Sequence, residues 1–124
     1  MNSALQNELR PLTREHAPAF CQLVIALAEF EKLTPPDEAA QARLVEDALG
    51  KKPRIEVWLA FANEDTAPCG YMILVETYSS FLALPTLYLE DLFVLPDHRK
   101  VGVGGTLLKK VVSLAHERGC GRVE

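Results

Sequence analysis

The chain has 124 residues, of which 48% are hydrophobic and 24% charged, and its formal net charge is −4. This length fits one domain over residues 1–124, long enough to bury a core without a disulfide or metal, and the composition excludes a disordered chain. The acidic balance argues against a nucleic-acid partner, because the net field repels phosphate. The longest clearly apolar run, Leu23–Ala28, is too short to span a membrane, so no membrane partner is expected.

The cysteines and histidines predict no metal site. Cys21, Cys69 and Cys120 are far apart and form no CxxC pair, and the three histidines have no ligand spacing. The N-terminus carries no secretory signal pattern. These features favour reduced thiols and a cytoplasmic location.

The first half of the chain predicts one strand and two helices. A strand is expected around Leu5–Arg10, and apolar residues at three- and four-residue spacing then predict a helix over Arg14–Lys32, with Thr13 as its N-cap. Consecutive prolines end that helix. A second helix begins at the capping residue Asp37 and runs to Leu49, with Gly50 in the C′ position that follows a helix end.

The second half predicts three strands and a helix. The strands are Arg54–Ala62 and Gly70–Tyr78, paired as a hairpin, and the central strand Leu87–Leu95, after a loop at Ser79–Pro85. The helix follows a glycine-rich loop and ends at Gly119. The order is therefore β-α-α-β-β-β-α, and Gly121–Glu124 looks like the entry to a further strand. We expect the C-terminal elements of the fold to be absent or supplied by another chain.

The loop from Arg99 to Thr106 is the strongest chemical signal. Unpaired N–H groups and the dipole at a helix start bind anions, and glycines allow close approach. The Walker pattern fails because no Lys follows Gly105, and the dinucleotide pattern fails because its third glycine would be Leu107. The alternative is that these glycines only permit a tight turn.

The loop fits the pattern R/Q-x-x-G-x-G/A through Arg99, Gly102 and Gly104. In this it resembles the coenzyme A pyrophosphate loop of the GNAT superfamily of N-acetyltransferases. The run Tyr88–Val94 before the loop, and the helix end Leu27–Glu31, are similar to the diamine (spermidine/spermine) acetyltransferase subgroup. The resemblance follows the element order from Leu9 to Glu124 and is specific over Leu87–Leu108.

The resemblance implies an α/β fold, a mixed and mostly antiparallel sheet flanked by helices, and acetyl-CoA as cosubstrate. It assigns the pantetheine arm to the backbone of Leu92, Phe93 and Val94. It assigns the pyrophosphate to Arg99, Lys100, Val101, Gly102, Val103, Gly104 and Gly105. It also implies a homodimer, and the tyrosine that the family uses as general acid has no match in this chain.

The acceptor amine must lose a proton before it attacks, since an alkylamine is neutral in only about 1 part in 2,500 at pH 7. Glu90, in an otherwise apolar strand just before the expected cofactor contacts, is the candidate base, whereas its neighbour Asp91 is expected to make a structural hydrogen bond. By resemblance Phe30, Glu31 and Glu90 contact the substrate. The function expected is acetyl transfer to a primary amine of a small, polyamine-like cation. The alternative is a non-catalytic acetyl-CoA-binding or assembly module completed by another chain.

Overall fold

The computed structural model describes residues 7–63 and 65–124, without the side chains of Lys100 and Val101. Its strands are β1 (Asn7–Pro11), β2 (Glu56–Ala62), β3 (Gly70–Ser79), β4 (Leu84–Val94) and β5 (Arg122–Val123). Its helices are α1 (Ala17–Phe30), α2 (Glu38–Leu49) and α3 (Val103–Glu117). None of these helices has the length and hydropathy needed to cross a membrane. Leu5 and Gln6 of the predicted first strand, and Glu64 of the predicted turn, lie outside the described residues.

The five strands form one sheet in the order β1-β2-β3-β4-β5. The pairings β1–β2, β2–β3 and β3–β4 are antiparallel, and β5 pairs in parallel with β4. The mixed, mostly antiparallel sheet predicted from the sequence is therefore confirmed. The predicted entry to a further strand, at the C-terminal end, is the two-residue β5.

Each face of the sheet has its own core. One face packs against the apolar stripe of α3, with Met72, Leu74 and Leu107 almost fully buried. The other packs against α1, with α2 beside it, around Phe20 and Tyr71. Alternate side chains of a strand point to opposite faces, so both cores draw on the same strands.

The helix ends differ from the prediction in detail. A 3-10 turn at Arg14–His16 precedes α1, and Thr13 before it makes no side-chain cap. Asp37 does cap α2, because its carboxylate accepts a backbone N–H at 2.8 Å. Gly50 follows the last residue of α2, and its φ of −76° lies outside the left-handed region that a C′ glycine usually adopts. The left-handed position is used after α1, where Lys32 has φ 59°.

β4 is longer than predicted and carries a β-bulge. It begins at Leu84, so the hairpin loop before it is only residues 80–83. Along its pairing with β3, Leu89 faces Leu74 and Asp91 faces Ile73, which leaves Glu90 as the extra residue. Before the bulge Leu87 and Leu89 contact the α3 core, and after it Leu92 and Val94 do. The bulge therefore shifts the alternation of β4 by one residue.

Candidate active site

A cleft of about 300 Å³ lies between the end of α1, the end of β4 and the start of α3. Its lining residues are Leu27, Phe30, Glu31, Leu92, Phe93, Val94, Arg99 and Gly104. The structure thus brings residues predicted to bind substrate and residues predicted to bind cofactor around one space. They come from three segments that are far apart in the sequence.

The backbone at the end of β4 has hydrogen-bonding groups available at the cleft. The Leu95 N–H donates to the carbonyl of Cys69. In an antiparallel pair, every second residue directs its N–H and C=O groups to the partner strand, so the backbone groups of Phe93 also point toward β3. Leu92 and Val94 then direct their N–H and C=O groups to the opposite edge of β4. Among the described residues, β5 covers that edge only as far as Leu89, whose N–H donates to Glu124. Phe93 contributes its ring to the cleft instead.

The start of α3 offers unpaired donors beside this edge. A 3-10 turn at Pro96–Val101 leads to Gly102, whose φ of 82° turns the chain into the helix. The N–H groups of the first helical turn have no intrahelical acceptor. A Cβ at Gly102, Gly104 or Gly105 would meet nothing within 4 Å, so the approach to these N–H groups is open. The backbone N–H groups of Lys100 and Val101, also predicted to hold the pyrophosphate, belong to the 3-10 turn that precedes Gly102.

Arg99 points into the cleft, which Gly104 at the start of α3 also lines. Its Nε donates to the carbonyl oxygen of Val94 at 2.8 Å. Its guanidinium carbon lies 4.5 Å from the ring centre of Phe30 and 5.5 Å from that of Phe93. The motif predicted an arginine in contact with phosphate, and the structure shows it against two aromatic rings.

The charges of three carboxylates act on one another: Glu31, which lines the cleft, and Glu90 and Asp91, which do not. Asp91 is half-buried and accepts a hydrogen bond from the Tyr71 hydroxyl at 3.2 Å. Burial raises the pKa of Asp91; the Tyr71 bond opposes this, and the charges of Glu90 and Glu31 add to the rise. Glu90 itself is exposed at the bulge. Because these charges repel one another, a bound cation would relieve the repulsion.

Two residues of this region were not found from the sequence. Tyr71 is fully buried, and burial, followed by the charge of Asp91, raises its pKa, so its hydroxyl stays protonated and donates. Leu27 lines the cleft because it precedes Phe30 by three residues and Glu31 by four, which places it on their face of α1. That helical spacing was the available signal.

The fold and the glycine-rich helix start define the class of protein. Residues 17–124 match the acetyltransferase (GNAT) family, and the chain belongs to that family. This confirms the resemblance noted from Arg99, Gly102 and Gly104.

Individual relatives are consistent with the diamine acetyltransferase subgroup. The chain is 32% identical over 108 residues to thialysine N-epsilon-acetyltransferase of Bos taurus, covering 82% of this chain and 63% of the relative. It is 26% identical over 118 residues to spermidine/spermine N(1)-acetyltransferase-like protein 1 of Homo sapiens, covering 91% of this chain and 17% of that protein. A crystal structure of a probable acetyltransferase superimposes with a TM-score of 0.83 at 24% identity, covering 94% of this chain and 76% of the other. The chain thus spans less than two thirds of the bovine relative.

Proposed function

We propose that the protein is an N-acetyltransferase that moves acetyl from acetyl-CoA to a primary amine of a small, polyamine-like cation by direct attack. The observation that carries this proposal is the cleft itself. It joins the open backbone edge of β4 at Leu92 and Val94, the unpaired N–H groups at the start of α3, and an aromatic and acidic wall at Phe30 and Glu31. A thioester with a long polar arm and a pyrophosphate needs the first two, and an amine cation needs the third.

The residues present fit coenzyme A. The edge groups of Leu92 and Val94 match an amide-containing arm that binds like an added strand. The N–H groups of residues 100–105, with Arg99, would hold the pyrophosphate. Bound acetyl-CoA supplies an activated acetyl thioester. The Val94 N–H, directed to the open edge, is then the donor for the acetyl carbonyl oxygen as negative charge develops there.

The acceptor side depends on charge. Phe30 and Glu31 attract and orient the ammonium groups of the substrate, by cation–π and ionic contact respectively. Glu90 removes the proton from the reacting amine, directly or through water, so that the neutral amine attacks. The thiolate is a good leaving group, because the pKa of a thiol is only about 8.5. The proposal includes a homodimer and a cytoplasmic location.

Two measurements test the proposal together. The first is calorimetric titration with acetyl-CoA, and the second is thiol release with a panel of amines that includes thialysine and spermidine, the compounds in the names of the relatives. Binding with amine-dependent thiol release is the expected result. Absence of acetyl-CoA binding would contradict the site assignment.

Glu90→Gln separates catalysis from binding. We expect it to abolish amine-dependent thiol release while acetyl-CoA affinity is retained, because Glu90 acts on the amine. Glu117→Gln, which removes an exposed carboxylate at the end of α3, is the matched control and should behave as the unmodified protein. Binding without release in the unmodified protein would favour the acetyl-CoA-binding or assembly module.

A further inference from the structure

Arg99 occupies the cleft with three contacts made by one side chain. Its Nε donates a hydrogen bond to the Val94 carbonyl oxygen on the open edge of β4. The two ring contacts cover the aromatic wall formed by Phe30 and Phe93. The side chain is otherwise exposed, so it can leave this position without opening the core.

Both surfaces that Arg99 covers are needed by the proposed function. The Val94 carbonyl belongs to the edge that the cofactor arm would use. The ring of Phe30 is where a substrate ammonium would lie. A guanidinium over a ring makes the same kind of cation–π contact as an ammonium, so Arg99 occupies the position over the ring that the substrate cation would take.

We propose that Arg99 is an internal competitor of the acceptor cation, and that coenzyme A releases it. This inference rests on the proposed function and adds a coupling between its two binding sites. Arg99 and Gly104 line the same cleft, so the guanidinium lies beside the helix start where the pyrophosphate would bind. An ionised phosphate is a stronger partner for a guanidinium than a neutral carbonyl, and it can be contacted through two N–H groups at once.

The size of the coupling follows from the contacts that are lost. A cation–π contact at an exposed site changes an equilibrium about two- to fivefold, and the hydrogen bond to Val94 adds to this. We therefore expect coenzyme A to tighten the binding of a cation in the cleft by about fivefold. By linkage, the cation should tighten the binding of coenzyme A by the same factor.

The test is titration with spermidine, without cofactor and with saturating coenzyme A, which lacks the acetyl group and so allows no turnover. In Arg99→Gln the affinity for spermidine without cofactor should already be about fivefold higher than in the unmodified protein, and coenzyme A should add less than about twofold. Arg54→Gln removes the same charge from a side chain that is 81% exposed, and it should keep the full coupling.

A second measurement does not depend on a variant. The ¹⁵N–¹H signal of Arg99 Nε reports its hydrogen bond to Val94, and it should move when coenzyme A is added. An unmoved signal at saturating coenzyme A would overturn the proposal, as would equal spermidine affinity in Arg99→Gln and the unmodified protein. Either result leaves the proposed function standing. Absence of coenzyme A binding in the unmodified protein would contradict both the proposed function and this inference. That titration is therefore done first.

Discussion

Gly102 and Gly105 lie three residues apart at the start of α3, and replacing each by alanine should change stability in opposite directions. A Cβ at either position meets nothing within 4 Å, so packing does not enter. Gly102 has φ 82°, where a side chain costs about 1–2 kcal/mol. Gly105 lies in the first turn of a helix, where alanine is favoured over glycine by about 0.5–1 kcal/mol.

The glycine also has more freedom in the unfolded chain, which offsets part of the cost at Gly102. We therefore expect Gly102→Ala to lower the free energy of unfolding by about 1 kcal/mol and Gly105→Ala to raise it by about 0.5 kcal/mol. Thermal unfolding should show the melting temperature about 4 °C lower and about 2 °C higher, respectively.

Coenzyme A titration of the same two variants tests the role of the loop. Gly102→Ala tilts the first N–H groups of α3, so the affinity should fall. Gly105→Ala keeps the helical backbone, so any loss of affinity should be smaller than in Gly102→Ala. Stability changes of the same sign in both variants would refute the backbone geometry described for Gly102.

Gly70→Ala should lower the free energy of unfolding by about 1–3 kcal/mol in urea, because its Cβ would lie 2.8 Å from a backbone oxygen of β4; a loss below about 0.5 kcal/mol would show that the strand gives way. Arg118→Gln breaks a two-bond ion pair with Glu56, at 2.7 and 2.9 Å, and should cost about 0.5–1 kcal/mol at pH 7 after allowance for solvent screening. The pKa of Glu56 is lowered mainly by its hydrogen bond to Arg118. The stability from this pair is therefore fully present above the ordinary pKa of a glutamate and is lost as pH falls through the lowered pKa. Urea unfolding of Arg118→Gln and the unmodified protein should show a smaller difference in the free energy of unfolding below pH 4 than at pH 7. Tyr71→Phe removes a hydrogen bond that lowers the pKa of Asp91, so that pKa should rise further, and a downward shift of the Asp91 carboxyl titration in ¹³C spectra would contradict the contact.

The element order was predictable because apolar spacing and prolines mark the elements locally. Pro35 and Pro36 separate the two helices, and two apolar runs on either side of a turn with Pro68 and Gly70 mark the hairpin after Arg54. The bulge at Glu90 was not predictable, since a bulge depends on how two strands pair and not on the residue that occupies it. In an unbroken strand Glu90 and Asp91 would lie on opposite faces, and the bulge interrupts that alternation at Glu90 itself.

Arg99 shows a similar limit at the site. The loop pattern identifies the arginine, but its direction depends on Phe30, which lies about seventy residues earlier and reaches Arg99 only through the fold. The same holds for the helix ends. The left-handed position after α1 falls on Lys32 because the N–H of Leu33 reaches the carbonyl of Ala28 at 2.8 Å, although a glycine rule would not select a lysine.

The bulge makes Glu90 dispensable to the sheet. If this residue were deleted, Leu89 would still oppose Leu74, Asp91 would still oppose Ile73, and the alternation of β4 would become regular. A deletion inside a strand ordinarily sends every later side chain to the wrong face. Here the pairing of β3 with β4 would be kept on both sides of the deleted residue. The residue proposed to remove the proton therefore has no role in the pairing of β3 with β4. Evolution can substitute or delete it while the fold is kept.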